Sequence, residues 1–386
     1  MPPRGFSEAE FDARLGRGQD LMAASGVDAL LLTTEPEVRY FSGFRTPFWQ
    51  SPTRPWFLIV PGAGKPVAVI PEIGYQAMAE TWVEDIRTWS APRPADEGVS
   101  LVTETIRELV GDRAVVGVPT GPETTLRMPL NDYARLTASL PGVHFGDATQ
   151  VIKNLRMVKS ETEIAKISHV CRVTSAAFAA VPQNVSQGHR LSEVFRSFKI
   201  DLLTRGVDDI PYLVGAAAPG GYASVISPPD ERPLTHGDVL MLDAGAVWDG
   251  YFCDFDRNFA LGLASPDVRR GHRTLRRAVE AGCVTAQPGA TSAEVFAAMA
   301  AVLEGAGYAA SSVGRMGHGL GMQLTEWPSL TPADHTPLVP GMVLALEPSL
   351  QINPDHGLVH EENIVIREDG PQWLTQPASA ELPQIG

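Results

Sequence analysis

Residues 239–261, which read VLMLDAGAVWDGYFCDFDRNFAL, decide the fold. Two largely apolar runs flank Trp248-Asp249-Gly250, a sequence typical of a tight turn between antiparallel strands. Asp243 directly follows the apolar residues Leu-Met-Leu, and Asp254 follows Tyr-Phe-Cys in the same way eleven residues later. An unpaired carboxylate is costly to bury, so each of these residues needs a partner. The stretch therefore predicts two adjacent antiparallel strands whose inward faces bring two acidic side chains together.

Three further positions downstream carry the same kind of chemistry. His318 lies in the sequence GHGLG, Glu347 in LEP and Glu361 in HEEN. With Asp243 and Asp254 they supply a charge of −4, which two divalent cations would neutralise, and one imidazole nitrogen. Oxygen-rich ligation with one histidine suits Mn, Fe, Co or Zn, and two ions ~3.5–4 Å apart can share a hydroxide nucleophile. We therefore predict a site for two divalent metal ions, with manganese favoured.

The rest of the chain divides into two domains. In the first part, apolar runs alternate with helix-like stretches, which predicts an α/β domain. A capping box at Ser160 and Glu163 then begins a new helix, so we place the boundary near residue 155, giving domains 1–155 and 156–386. The predicted strands are 28–33, 56–60, 67–70, 114–118, 239–247, 251–261, 342–347 and 361–366, and the predicted helices include 7–24, 100–109, 267–281 and 292–306.

Composition excludes several classes of function. The chain has 386 residues and a net charge of −14, which disfavours nucleic acid and anionic membranes as partners. Its three cysteines show no paired spacing, and it has no apolar run near the ~20 residues of a membrane span. We therefore expect a cytoplasmic protein. Gly62-Ala63-Gly64-Lys65 fits a hairpin turn better than a phosphate loop, and the chain has no Gly-x-Ser-x-Gly nucleophile motif.

Several motifs resemble one known superfamily along nearly the whole chain. They are EVRYFSGF at 37–44, RMVKSE at 156–161, the eleven-residue spacing of the two aspartates, GHGLG at 317–321, PGMVLALEP at 340–348, and Glu361 followed by an apolar strand. The superfamily contains the Xaa-Pro peptidases, prolidases, creatinases and methionine aminopeptidases. The resemblance implies an α/β amino-terminal domain followed by an α+β catalytic domain of the pita-bread fold, and a homodimer.

The resemblance also implies a role for each ligand. Asp243 would bind one ion, His318 and Glu347 the other, and Asp254 and Glu361 would bridge them. Glu347 would also carry a proton during hydrolysis of a C–N amide bond by a metal-bridging hydroxide. The substrate would be a small peptide or a peptide-like molecule.

This sequence departs from the superfamily at positions near the substrate. Ile226 and Thr325 stand where the peptidases have histidines that contact the substrate, and Val359 stands where they have arginine. The motif Asp-x-Thr-Arg-Thr becomes Asp254-Phe-Asp256-Arg-Asn258. The predicted metal ligands are thus retained while the surroundings of the substrate have changed.

Asp256 leaves several roles open. On an alternating strand it faces the same side as Asp254, where it could be an extra ligand, an orienting residue or a general base. It could also pair with Arg257 or Arg232 at the rim. His360, beside the last ligand, is a further catalytic candidate.

Three residues are candidates for the substrate pocket: Trp49, Thr325 and Trp327. Trp49 lies in an aromatic loop that could instead serve domain packing. As a pocket lid it would suit an apolar ring or an onium group, since cation–π attraction contributes ~0.5–2 kcal/mol.

The leading hypothesis is therefore a dinuclear-metal hydrolase of peptides. The alternative is a hydrolase or lyase of a non-peptide small molecule with Asp256 as base, as in the creatinase-like enzymes, the ectoine-derivative hydrolases and the dimethylsulfoniopropionate lyases of this fold. The third hypothesis is a metal-free binding module.

Overall fold

The computed structural model describes residues 1–51, 54–309 and 314–386. Contacts between residues divide the chain into two compact units. One unit is Pro3–Arg156, and the other is Met1–Pro2 together with Met157–Gly386. The boundary proposed from the sequence lies one residue before this division.

The amino-terminal unit is a mixed sheet with helices. Its elements are Glu8–Ala24 (α1), Ala29–Leu32 (β1), Glu35–Ser42 (α2), Phe57–Pro61 (β2), Val67–Pro71 (β3), Tyr75–Ala79 (α3), Asp85–Trp89 (β4), Val99–Val110 (α4), Val115–Val118 (β5), Leu130–Ser139 (α5), His144–Asp147 (β6) and Thr149–Met157 (α6). The strand order is β4-β3-β2-β1-β5-β6. Strands β2 and β3 form an antiparallel pair around residues 62–65, which confirms the predicted hairpin.

This sheet is built from continuous apolar runs. All residues of β1, β2 and β3 are buried, as expected for strands covered on both faces. The core on one side joins β1, β2 and β5 to α4, whose Val102 and Ile106 are fully enclosed. Helix α1 begins as predicted, because the Ser7 hydroxyl accepts a hydrogen bond from the Glu10 backbone N–H.

The second unit contains two larger sheets and four helices of eight or more residues within its described part. Its elements are Glu161–Asn184 (α7), Leu191–Arg205 (α8), Asp209–Pro219 (β7), Asp238–Trp248 (β8), Tyr251–Phe252 (β9), Phe255–Leu261 (β10), Pro266–Thr285 (α9), Ser292–Gly305 (α10), Gly317–Gly319 (β11), Glu326–Ser329 (β12), Val343–Leu346 (β13), Ser349–Gln351 (β14), Gly357–Val359 (β15), Glu362–Arg367 (β16), Gly370–Trp373 (β17) and Gln384–Ile385 (β18). The sheets run β18-β10-β8-β7 and β12-β11-β13-β16-β17. The predicted fold class, α/β followed by α+β, is confirmed.

The stretch 239–261 forms the predicted pair of antiparallel strands. Trp248 pairs with Tyr251, and the two residues between them have positive φ angles of 48° and 79°, as a two-residue hairpin turn with the twist of its strands requires. Strands β8 and β10 then place Asp243 directly opposite Asp256. The single strand predicted over 251–261 is wrong in one detail, because it is interrupted at Cys253 and Asp254.

Helix α7 is the one described helix long and apolar enough to cross a membrane by length and composition. The protein itself buries 67% of its apolar window, as is typical of a core helix. Its start has the predicted capping box, in which Ser160 and Glu163 each accept a backbone hydrogen bond from the other residue.

Candidate active site

Each of the five predicted ligands lies in a strand of the second unit or next to one. Asp243 is within β8, and Asp254 directly precedes β10. His318 is the middle residue of β11, Glu347 follows β13, and Glu361 precedes β16. Strand β13 pairs with both β11 and β16. The register of these pairs brings His318, Glu347 and Glu361 to the same end of the three strands.

The structure brings these side chains together in two groups. Oxygens of Asp243, Asp254 and Glu361 all lie within 4.8 Å of one another. The His318 Nε2 atom lies 3.3 Å from Asp254 Oδ2 and 3.6 Å from Glu347 Oε2. Asp254 belongs to both groups, which places it between the two sets of donors.

The carboxylates repel one another in a buried environment. Burial, followed by the charges of Asp254, Asp256 and Glu347, raises the pKa of Asp243 well above its usual value. Burial and the charges of Asp243 and Glu347 do the same to the pKa of Glu361. A cation shared by such groups relieves both the repulsion and the cost of burial.

Two observations show that these residues fit divalent metal ions. Among the described residues, Asp243 Oδ1 and Glu361 Oε2 are buried without a hydrogen-bond partner. The His318 Nδ1 atom lies 2.8 Å from the carbonyl oxygen of Gly319, so Nδ1 carries the proton and Nε2 is left as a metal donor. Carboxylate oxygens with one imidazole nitrogen form a donor set suited to a first-row divalent cation.

Asn363 holds Asp254 in place and explains the interruption of the strand. Its side-chain amide donates to the Asp254 carbonyl oxygen at 2.5 Å and accepts from the Asp254 N–H at 3.0 Å. Both backbone groups of Asp254 are therefore bonded to a side chain instead of a neighbouring strand. Sequence reasoning missed Asn363, although a polar residue after Glu361-Glu362 at the start of an apolar strand was a usable signal.

Tyr212 on β7 is the second residue that the sequence did not reveal. Burial, followed by the charges of Asp243 and Glu361, raises the pKa of Tyr212 far above its usual value. The hydroxyl therefore stays protonated near Asp243, where it is available as a donor to that carboxylate. Nothing in the sequence distinguishes Tyr212 from the other tyrosines.

Replacing Tyr212 with Phe should weaken metal binding without unfolding the protein. Partners that orient a metal ligand are typically worth 10–100-fold in affinity, so we expect a loss of about tenfold. Titration of the metal-free variant with Mn²⁺ against a fluorescent chelator measures this loss. Tyr133→Phe, in the amino-terminal unit, is the matched control, and an equal loss in both variants would contradict the role of Tyr212.

Asp256 and His360 lie next to the carboxylate group but contact different atoms. Asp256 is fully buried, and its two oxygens accept hydrogen bonds from the Glu361 N–H at 2.5 Å and the Asn258 amide at 2.6 Å. His360 Nδ1 lies 3.6 Å from Asp256 Oδ1, and its Nε2 lies 3.3 Å from Glu362 Oε1. The Asp256 carboxylate does not pair with Arg257, whose guanidinium instead donates to the backbone oxygen of Asp256.

Glu347 differs from the other carboxylates in exposure. Its side chain is 18% exposed, compared with 5% for Asp254, so it is the more accessible of the two. Arg315 Nε lies 3.4 Å from Glu347 Oε1, and Arg315 Nη2 lies 3.5 Å from the Thr325 hydroxyl. Burial raises the pKa of Glu347, but His318 and Arg315 outweigh it and hold that pKa below its usual value.

The remaining candidate residues have diverse surroundings. Trp49 is 9% exposed and packs against Phe44 and Trp56, and the Arg127 guanidinium lies 5.1 Å from its ring centre, all within the amino-terminal unit. Trp327 is 8% exposed in β12. The Thr325 hydroxyl lies 3.5 Å from Arg315, which also contacts the predicted ligand Glu347.

Comparison with known proteins identifies the family. Residues 165–368, more than half of the chain, match metallopeptidase family M24, and residues 14–158 match the creatinase/prolidase N-terminal domain. A probable dipeptidase PepE of Mycobacterium bovis is 28% identical over 96% of both chains. The Xaa-Pro dipeptidase of Pyrococcus furiosus is 25% identical over 94% of this chain and 97% of its own.

A solved structure agrees with these matches. The crystal structure of dipeptidase PepE from Mycobacterium ulcerans superimposes with a TM-score of 0.85 at 27% identity, and the match covers 99% of both chains. The resemblance inferred from the motifs is therefore confirmed. The chain belongs to metallopeptidase family M24, with a creatinase/prolidase-type amino-terminal domain ahead of a pita-bread catalytic domain.

Proposed function

We propose that this protein is a dinuclear-metal peptidase that cleaves the amide bond of a small peptide, with dipeptides as the first class to test. The observation that carries the proposal is the meeting of two donor groups at Asp254, one formed with Asp243 and Glu361 and the other with His318 and Glu347. Relatives along the full length are named dipeptidases and Xaa-Pro dipeptidases, which supports the substrate class.

In this proposal Asp243, Asp254, His318, Glu347 and Glu361 would hold two divalent cations. When bound, such cations lower the pKa of a coordinated water to near neutrality and polarise the carbonyl to be attacked. Tyr212 and Asn363 orient Asp243 and Asp254. Because Glu347 is the more exposed carboxylate, it accepts a proton from the attacking water and returns it to the leaving amine.

The substrate is held differently from that of the peptidases that this chain resembles. Ile226 and Thr325 replace two histidines, and Ile226 is 72% exposed. Arg315 contacts both Thr325 and Glu347, so its guanidinium lies where a peptide carbonyl or carboxylate would need a donor. We therefore include substrates with a free carboxylate among the first to test.

The experiment is metal reconstitution followed by a substrate panel. Protein stripped with a chelator is reloaded with Mn, Co, Zn or Fe and assayed on Xaa-Pro dipeptides, other dipeptides, small amides and onium compounds. We expect turnover of at least one dipeptide with at least one metal, lost again in His318→Ala. Turnover that survives both chelation and this substitution contradicts the proposal.

Other outcomes separate the remaining hypotheses. Turnover confined to the non-peptide compounds supports a small-molecule hydrolase or lyase, and a protein without stoichiometric metal supports a binding module. The contacts of Asp256 favour a positioning role over that of a lyase base, since each of its oxygens accepts a hydrogen bond from an N–H donor. The preference for manganese, the homodimer and the cytoplasmic location stay predictions, tested by elemental analysis, light scattering and cell fractionation.

A further inference from the structure

We propose that Asp256 and His360 form a positioning pair that fixes the backbone of Glu361, so that its carboxylate points to the other acidic ligands. This inference rests on the proposed function only in taking Glu361 as a metal ligand. It assigns Asp256 and His360 a role in holding the backbone and none in proton transfer. Four steps of geometry lead to it.

First, Asp256 holds the backbone on both sides of His360. One of its oxygens accepts the Glu361 N–H directly, at 2.5 Å. The other accepts from the Asn258 amide at 2.6 Å, and the same amide nitrogen donates to the Val359 carbonyl oxygen at 2.8 Å. The segment that leads into Glu361 is therefore attached to Asp256 at two points.

Second, His360 spans two carboxylates. Its ring is 1% exposed and lies 3.6 Å from Asp256 and 3.3 Å from Glu362. Glu362 is itself fixed by an ion pair with Arg257 at 2.8 Å and by the backbone N–H of Ala378 at 2.8 Å. The imidazole therefore lies at ion-pair distance from Asp256 and from a second anchored acid, one residue beyond Glu361, and neither ring nitrogen has a hydrogen-bond partner among the described residues.

Third, both backbone polar groups of Glu361 are hydrogen-bonded. Its N–H donates to Asp256, and its carbonyl oxygen accepts from Arg257 Nη1 at 3.0 Å. Its side-chain Oε2 is buried without a hydrogen-bond partner among the described residues. The network thus holds the main chain of Glu361 and leaves its carboxylate for the group formed with Asp243 and Asp254.

Fourth, residues that depart from the superfamily pattern meet in this network. Asp256 and Asn258 stand where that pattern has threonines, and Val359 stands where it has arginine. Through Asn258 all three are connected, and His360 joins them through Asp256. A buried carboxylate is tolerated when donors surround it, so Asp256 and His360 depend on each other. The residues that depart from the superfamily pattern therefore belong to one network, which supports Glu361 in a different way.

The test is a double-mutant cycle with two readouts, using the full-length protein. The variants are Asp256→Asn, His360→Leu and the double variant, and His360→Gln replaces His360→Leu if that variant does not fold. The first readout is the Mn²⁺ dissociation constant, from competition with a fluorescent chelator. The second is the unfolding equilibrium constant of the metal-free protein.

We expect each single variant to weaken Mn²⁺ binding about tenfold, and the double variant to be no weaker than the worse single. His272→Leu is the matched control, because that buried ring lies 6.0 Å from the His360 ring and bonds the backbone oxygen of Ser379 instead. It should leave the Mn²⁺ affinity unchanged.

Two results would overturn the pair. One is an unchanged Mn²⁺ dissociation constant in Asp256→Asn with turnover lost, which is the behaviour of a general base. The other is effects of the two single substitutions that multiply in the double variant, for affinity and for unfolding. If the wild-type protein binds no divalent cation, the proposed function fails, and the unfolding cycle of the metal-free variants still decides whether Asp256 and His360 act as a unit.

Discussion

Replacing Asp243 with Asn should abolish metal-dependent turnover and at the same time stabilise the metal-free protein. Burial, followed by the negative charges of Asp254, Asp256 and Glu347, raises the pKa of Asp243 well above its usual value. An amide of the same size removes a buried like charge and keeps the shape. We expect turnover to fall by about 10³-fold or more, equivalent to about 4 kcal/mol, while thermal unfolding of the metal-free variant moves to higher temperature.

Asp249, in the turn that follows the same strand, offers a matched control. It is fully buried like Asp243, but its oxygen lies 2.6 Å from Lys166 Nζ in an enclosed ion pair. Asp249→Asn removes the carboxylate charge beside that buried lysine and should destabilise the protein by about 3 kcal/mol or more. The same chemical change thus has opposite signs at the two positions.

Adding Mn²⁺ should further separate the stability of the wild-type protein from that of Asp243→Asn. A ligand that binds only the folded protein stabilises it by about 2.7 kcal/mol at a concentration 100 times its dissociation constant. Wild-type protein should gain this stability with Mn²⁺, and Asp243→Asn should not. A metal-free Asp243→Asn protein that is less stable than wild type would contradict the electrostatic argument, and retained stabilisation by Mn²⁺ would remove Asp243 from the ligands.

The sequence predicted well those features that depend on local pattern. The hairpin at Trp248–Tyr251 follows from a turn sequence between two apolar runs, and the capping box at Ser160 follows from residues three apart. The candidate ligands were found because carboxylates in apolar strand contexts are conspicuous. The family could be recognised because its motifs are short and contiguous.

Features that depend on distant parts of the chain were not predictable. The strand interruption at Asp254 requires Asn363, and the surroundings of Asp256 require Glu361, both more than 100 residues away. The register between β8 and β10 and between β13 and β16 decides which of these side chains meet. The roles proposed for Asp256 remained open for this reason, and only the contacts favour a positioning role.

Lys159→Met should cause the largest loss of stability among the substitutions considered, about 3–5 kcal/mol. The Lys159 ammonium lies 3.0 Å from Glu326 Oε2, and both side chains are 1% exposed. The other Glu326 oxygen accepts the Gln323 N–H at 3.1 Å, so this carboxylate also closes the turn between β11 and β12. Removing the lysine charge takes away the cation that lies 3.0 Å from this buried carboxylate, which costs far more than breaking a surface pair.

The Lys159→Met substitution should also weaken binding at the predicted metal site, because β11 carries His318 and pairs with β12. Denaturant unfolding gives the stability, and Mn²⁺ titration of the folded fraction should show weaker binding. In the double variant Lys159→Met/Glu326→Met most of the stability should return, because two apolar side chains of similar size replace both charges. Lys65→Met, which breaks the exposed pair with Glu84, should change nothing measurable. If the double variant is no more stable than the single one, removal of the cation beside Glu326 is not the cause of the lower stability.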